Sequence, residues 1–428
     1  MQILKNTDQD FSAKFQALVN ERREVTVDVS GTVKEIIADV KVRGDAAVKE
    51  YTNRFDHYNP QFFRLSETFI AEHAVQCPAE VKTALEVARK RIVDFHEKQR
   101  PQNIAYTDAV GVNLGLNWVA LPTVGIYVPG GRASYPSSVL MNALPAKIAG
   151  VERIVMTVPM PRGEINPVVL PAAQLAGITE IYSIGGAQAV AALAYGTQSI
   201  APVDKIVGPG NAYVAEAKRQ VFGRVGIDSI AGPSEILVVA DSKNNPDWIA
   251  WDLLSQAEHD PSAQSILITD SESFAEAAIA AVEKILFNLP TKEVASESWD
   301  KHGAVIIVSN LEESIFLLNQ LAPEHVELCV DEAQLFASQI KCAGSMFLGR
   351  YTPEAIGDYV GGPNHVLPTA RSARFASGLS VYDFVKRITY LQCDEQALQS
   401  IGKAAIALAQ AEGLPAHAGS VAVRLTDI

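Results

Sequence analysis

Thr123-Val-Gly-Ile-Tyr-Val-Pro-Gly-Gly131 decides how this chain is read. Thr123–Pro129 is a continuous apolar run of strand length, the pattern of a strand buried on both faces. It stops at Pro129 and two glycines, and a helical pattern follows from Ser138 to Ala149. The same grammar then repeats: strand 153–158, helix 167–176, strand 180–184, helix 187–195, strand 205–207, helix 211–221. Strand–helix alternation with short links predicts a parallel sheet. A second series follows, with strands over 235–240, 265–269, 304–308, 326–330 and 345–348 and helices between them. The expected fold is α/β, with two tandem doubly wound, Rossmann-like domains.

Around that centre the chain is helical in pattern. Residues 32–55 and 79–98 carry helical periodicity with charged faces, and 110–121 alternates like a strand or hairpin. The expected division is an N-terminal arm over 1–25, an α/β domain from 26–122 plus 235–375 carrying most of the metal and catalytic residues, a dinucleotide-binding domain over 123–234, and a C-terminal helical dimerisation segment over 376–428.

Bulk properties exclude several classes. The chain has 428 residues, enough for two or three domains. Its net charge of −13 argues against a nucleic-acid or anionic-membrane surface. No apolar run reaches the ~18 residues of a membrane span. The N-terminus lacks the apolar core of a signal peptide, so a cytoplasmic location is expected. Cys77, Cys329, Cys342 and Cys393 form no CxxC, which disfavours a disulfide framework or a cysteine zinc site.

Three glycine-bearing turns follow strands at helix starts: Val128-Pro-Gly-Gly-Arg132, Ile184-Gly-Gly-Ala-Gln188 and Gly208-Pro-Gly-Asn211. Glycine admits close backbone approach, and a helix N-terminus offers free N–H groups to a pyrophosphate. None is a full GxGxxG, and tight αβ turns use glycine anyway; three in one domain favour a dinucleotide. Tyr127, Gln188 and Asn211 stand beside these turns as candidate contacts.

Four of the eight histidines, His259, His325, His365 and His417, lie within two residues of a proline, so they belong at element ends. Gln256 and His259 share one face near a helix end, and Asp358 and His417 are further donors. That set suits Zn²⁺ or Mn²⁺ in a site open to substrate; a capping or surface role is the plain alternative for any one of them. Glu324-His325 pairs a carboxyl with an imidazole suited to base work at neutral pH, or is simply an exposed polar turn. Ser234 contacts a ligand or forms a turn. His365 reads as a supporting residue.

Taken together these segments resemble the histidinol dehydrogenase family. The resemblance rests on Tyr127-Val-Pro-Gly-Gly-Arg-Ala-Ser-Tyr-Pro, Gly185-Gly-Ala-Gln-Ala, Gly208-Pro-Gly-Asn-Ala, Ala231-Gly-Pro-Ser-Glu, Ser255-Gln-Ala-Glu-His-Asp-Pro, Ala322-Pro-Glu-His-Val, Ile356-Gly-Asp-Tyr, Asn364-His-Val-Leu-Pro-Thr, Gly378-Leu-Ser-Val-Tyr-Asp-Phe and Glu412-Gly-Leu-Pro-Ala-His417, in order from about residue 120 to the C-terminus. It implies a homodimeric zinc enzyme that oxidises L-histidinol to L-histidine with two NAD⁺. It implies Gln256, His259, Asp358 and His417 as zinc ligands and Glu324 and His325 as the acid/base pair. Ser234, Glu412 and several ligands, with His325, would hold substrate, and Tyr127, Gln188 and Asn211 would hold NAD. It also implies active sites shared between two chains. The competing readings are a family member acting on another alcohol, a zinc hydrolase, and a non-catalytic metabolite-binding protein.

Overall fold

The structure is a computed structural model and describes residues 1–20, 28–130, 135–230 and 232–425. Gly131, Arg132, Ala231 and the expected arm boundary at 25 lie outside the described residues. The strands, in chain order, are β1 (Gln2–Lys5), β2 (Ile104–Thr107), β3 (Asn113–Ala120), β4 (Thr123–Tyr127), β5 (Arg153–Thr157), β6 (Glu180–Tyr182), β7 (Lys205–Val207), β8 (Gly226–Ile227), β9 (Glu235–Ala240), β10 (Gln264–Thr269), β11 (Ala304–Ile307), β12 (His325–Cys329), β13 (Ser345–Leu348) and β14 (Val385–Gln392).

They form three sheets. A parallel five-stranded sheet has the order β6-β5-β4-β7-β8, and a parallel six-stranded sheet has the order β1-β11-β10-β9-β12-β13. From β4 in one sheet and from β9 in the other, the chain runs outward one way from a central strand and then returns to fill the other side; β1 joins the outer edge of the six-stranded sheet beside β11. The order therefore reverses between β4 and β7 in one sheet and between β9 and β12 in the other. Such reversals open a crevice at strand ends. The fold is thus α/β with two doubly wound units, as the alternation predicted.

Both faces of each parallel sheet are covered, so the central strands are mostly apolar. β9 is buried at all six positions. One face of the five-stranded sheet holds Ile126, Met141, Leu170 and Ile181 beneath helices Ala79–His96, Pro136–Ala149 and Val169–Leu175. The other holds Tyr127, Ile184, Val190 and Ile206 beneath Ser30–Arg43, Gly186–Tyr195 and Ala212–Val221. The six-stranded sheet is covered likewise, by Pro246–Ala257, Glu272–Asn288 and Lys292–His302 on one face and Phe11–Asn20 and Glu313–Leu321 on the other.

This packing departs from the expected division in three places. The helices between residues 30 and 96 lie on the five-stranded sheet, not with 235–375, because their apolar faces (Val33, Ile36, Val40; Leu85, Ile92) enter its cores. Residues 2–5 are a strand beside β11, where Leu4 is buried. The C-terminal segment also departs from an all-helical tail. β14 pairs antiparallel with β3, and β2 pairs on the other side of β3. Among the described residues no helix is long and apolar enough to cross a membrane.

One core group makes stability depend on pH. His96 is fully buried, and its Nδ1–H donates to the Ile92 carbonyl at 2.8 Å. Burial holds its pKa below the ordinary imidazole value. Below about pH 6.5 the unfolded chain then binds a proton that the folded chain refuses, so stability falls as the pH drops through that range. Melting temperatures recorded from pH 7.5 to 5.5 will fall less steeply for His96→Phe than for the natural chain. The difference in slope is at most about 1.4 kcal/mol per pH unit; equal slopes would remove His96 from the account.

Candidate active site

Glu324 and His325 lie at the amino edge of the six-stranded sheet, at the junction of β9 and β12. Pro323 ends one segment, and His325 is the first residue of β12, one position earlier than its apolar run predicts. Both Glu324 and His325 are buried, at 6% and 3% exposure, which removes the exposed-turn alternative. They grip the same residue on the neighbouring strand. Glu324 Oε2 accepts from the Glu235 N–H at 3.0 Å, and His325 Nδ1–H donates to the Glu235 carbonyl at 2.9 Å. Adjacent residues point apart on a regular strand; here the strand end lets both reach the start of β9.

That grip fixes the histidine tautomer. A carbonyl only accepts, so Nδ1 carries the proton and Nε2 keeps its lone pair. Nε2 is buried with no hydrogen-bond partner. It faces Glu354 Oε1 at 3.5 Å and Asp358 Oδ1 at 4.0 Å. Burial pulls the His325 pKa down to about 4, against the opposing pull of Asp358. Burial pushes Glu324 well above the carboxyl range. Glu354 is pushed up to about 9 by burial and then by Asp358 beside it.

Helix Glu354–Tyr359 carries two of these groups. Glu354 and Asp358 are four residues apart, hence on one face. Its first N–H donates to Glu327 Oε1 at 2.6 Å, a buried carboxyl on β12. At the other end, His365 Nδ1–H donates to the Asp358 carbonyl at 2.9 Å, and His365 Nε2 lies 3.2 Å from Ser138 Oγ. His365 thus braces the Asp358 helix against Pro136–Ala149, the supporting part its sequence context suggested. Asn364 adds a bond from Nδ2 to the Met141 carbonyl at 2.6 Å. The amino edge of one sheet is thereby joined to the helix that follows β4 in the other.

Gln256 is in the last turn of helix Pro246–Ala257, which packs on Glu354–Tyr359, and His259 lies in the turn just past its end. Gln256 Nε2 and His259 Nδ1 are 3.4 Å apart. Gln256 is fully buried, yet its Oε1 has no hydrogen-bond partner. His259 is exposed. An orphaned amide oxygen beside an imidazole fits a bound cation, since a buried polar atom without a partner is costly. His325, Glu354 and Asp358 also offer ligand atoms within 4.8 Å of one another.

The structure does not bring all expected residues together. Glu412 caps helix Glu395–Ala411, and His417 lies on Pro415–Ala422; these two helices pack on each other and both side chains are exposed. Among the described residues, no hydrogen bond or ion pair ties either side chain to Gln256, His259 or Asp358. Ser234 directly precedes β9 and Glu235, at the rim of the acid/base pair.

The nucleotide candidates gather at the carboxyl edge of the five-stranded sheet. Tyr127 ends β4, is buried, and its phenol oxygen accepts from the Gly186 N–H at 3.0 Å; burial pushes its pKa up to about 12. Gln188 is buried at the start of the next helix, with Oε1 unpartnered. Asn211 is the N-cap of Ala212–Val221, accepting from Tyr213 and Val214 N–H at 3.1 and 3.2 Å.

Comparison with known proteins decides the family. The histidinol dehydrogenase family model matches residues 19–425. The chain belongs to the histidinol dehydrogenase family. "Histidinol dehydrogenase 1" of Trichormus variabilis is 79% identical over 428 residues, covering 100% of this chain and 99% of the relative. Histidinol dehydrogenase of Mesorhizobium japonicum is 59% identical over 425 residues, 99% of each chain. The crystal structure of histidinol dehydrogenase from Elizabethkingia anophelis superposes with a TM-score of 0.95 at 37% identity, over 99% of this chain and 98% of that one. A histidinol dehydrogenase family member is an oxidoreductase, and the buried Glu324-His325 pair is its natural candidate for proton handling.

Sequence reasoning passed over Glu235, Glu327 and Glu354. Glu354 was visible in principle, four residues before Asp358 at the start of the same short helix. Glu235 and Glu327 sit inside apolar strands and gave no such signal.

Proposed function

We propose that this chain oxidises L-histidinol through L-histidinaldehyde to L-histidine, the last two steps of histidine biosynthesis, with two NAD⁺ and one zinc ion per subunit, in the cytoplasm. The observation that supports this most strongly is the unpartnered, buried Nε2 of His325 facing Glu354 and Asp358. The alcohol, two NAD⁺ and water balance to a carboxylate, two NADH and three protons.

Gln256, His259 and Asp358 would hold zinc, with His417 as a fourth ligand. When bound, zinc supplies a fixed charge that orients the substrate, and NAD⁺ supplies the hydride acceptor. His325 takes the alcohol proton on Nε2, its orientation fixed by the Nδ1–H bond to Glu235. Its low pKa keeps it neutral at neutral pH and ready to accept. Glu324 then takes a proton from the water that adds to the aldehyde; once ionised, its buried carboxylate is a strong base. His325 serves again as base when the resulting hydrate is oxidised. Ser234, at the rim, and Glu412 would contact substrate. Tyr127, Gln188 and Asn211 would line the NAD site.

Glu412 and His417 fit this scheme if they are delivered to a second chain. They are exposed on helices that pack mainly on each other, beside exposed Leu408 (66%) and Leu414 (41%). Apolar surface of that kind favours a homodimer with shared active sites.

The test is absorbance at 340 nm with a panel of alcohols, NAD⁺ and zinc-loaded protein. NADH formation with histidinol, and not with simple alcohols, is expected. NADH only from alcohols lacking an imidazole would replace the substrate, and hydrolysis of amides without NADH would replace the reaction class.

A further inference from the structure

Gly208 sits where the strand order of the five-stranded sheet reverses, pressed against the end of β4. Its φ is +113°, and a Cβ there would overlap the Tyr127 carbonyl oxygen. The residue is held from beneath on both sides. Its N–H donates to Asp228 Oδ2 at 2.8 Å, and its carbonyl accepts from Lys218 Nζ at 3.0 Å. Lys218 and Asp228 also form a direct ion pair, with each side chain only 4% exposed. Lys218 comes from helix Ala212–Val221, and Asp228 directly follows β8. Three residues past Gly208, Asn211 is fixed separately as the cap of that helix.

A buried ion pair is a poor source of stability. Desolvation offsets its attraction, and hydrophobic residues of similar volume often serve the fold as well or better. This pair spends its remaining hydrogen-bonding capacity on one glycine peptide at a strand-order reversal, where ligands of doubly wound sheets bind. We infer that Lys218 and Asp228 are positioning residues for the dinucleotide: they clamp the Gly208 backbone so that the Gly208–Asn211 turn is preset for the ligand. Neither side chain needs to touch it. The inference rests on the NAD reading above and assigns to this pair the preorganisation of that site.

The test uses the full-length, zinc-loaded protein and two double variants. Lys218→Met/Asp228→Leu removes both charges. Lys218→Met/Asp228→Asn removes them but returns an acceptor to the Gly208 N–H. Calorimetric titrations with NAD⁺ and, separately, with histidinol are compared. NAD⁺ binding should weaken roughly 10-fold or more in the Leu variant, with partial recovery in the Asn variant, because ordering the turn is added to binding. Histidinol binding should stay within about 2-fold, since the amino edge of the other sheet is untouched. NAD⁺ affinity within about 2-fold of the natural chain, or equal losses for both ligands, overturns the positioning role. If the Leu variant does not fold, the Asn variant is judged by the same two criteria. A natural chain that binds no NAD⁺ overturns the nucleotide reading instead, and the two failures are distinct.

Discussion

His325→Asn will lower kcat by roughly 10²–10⁴-fold, the usual contribution of a positioned general base. Asparagine is the informative replacement. Its amide still donates to the Glu235 carbonyl, so the β9–β12 junction keeps its bond, but it has no basic nitrogen. The KM values for histidinol and NAD⁺ should move far less than kcat, within about 3-fold, because the loss falls on the transition state. His325 also lies among the carboxyls of Glu324, Glu354 and Asp358, so circular dichroism and melting must accompany the kinetics. A folded variant with kcat within about 10-fold of the natural chain would take the base role away from His325.

Glu324→Gln separates the two oxidations. Glutamine is isosteric and keeps an acceptor for the Glu235 N–H, but it cannot take a proton from water. The first oxidation needs no water. It should slow by less than about 10-fold, while conversion of added histidinaldehyde slows by roughly 10²–10³-fold. Starting from histidinol, the variant should release one NADH per histidinol quickly and the second slowly. Equal losses in both half-reactions would mean that Glu324 only holds β9 in place.

Much of this was legible in the chain. The apolar run from Thr123 and the repeated strand–helix spacing predict both parallel sheets, because each strand is buried on two faces and carries its signal locally. The proline-flanked histidines sit at or near element ends, since proline limits where a helix or strand can continue. Gln256 and His259 adjoin because the turn that ends the helix, closed by the His259 N–H on the Gln256 carbonyl, keeps residues three apart together. What was not legible depends on contacts between distant segments. β1 is four residues long, and its strand character comes from pairing with β11 some 300 positions away. β14 likewise depends on β3. The helices of residues 30–96 show which face is apolar but not which sheet receives it. Glu235, Glu327, Lys218 and Asp228 are charged groups in buried places, and only the folded contacts reveal their partners. Glu324 and His325 lie at an amino edge, where the rule for doubly wound sheets does not look; the helix after β4 meets Asn364 and His365 on that side.

The central claim is a four-electron oxidation at one site. It is tested most directly by counting NADH. Limiting histidinol, excess NAD⁺ and zinc-loaded protein are run to completion at 340 nm, and the product is identified by mass spectrometry. Two NADH per histidinol and histidine as the sole product are expected. One NADH with aldehyde accumulating, or no NADH at all, would contradict a four-electron oxidation at one site.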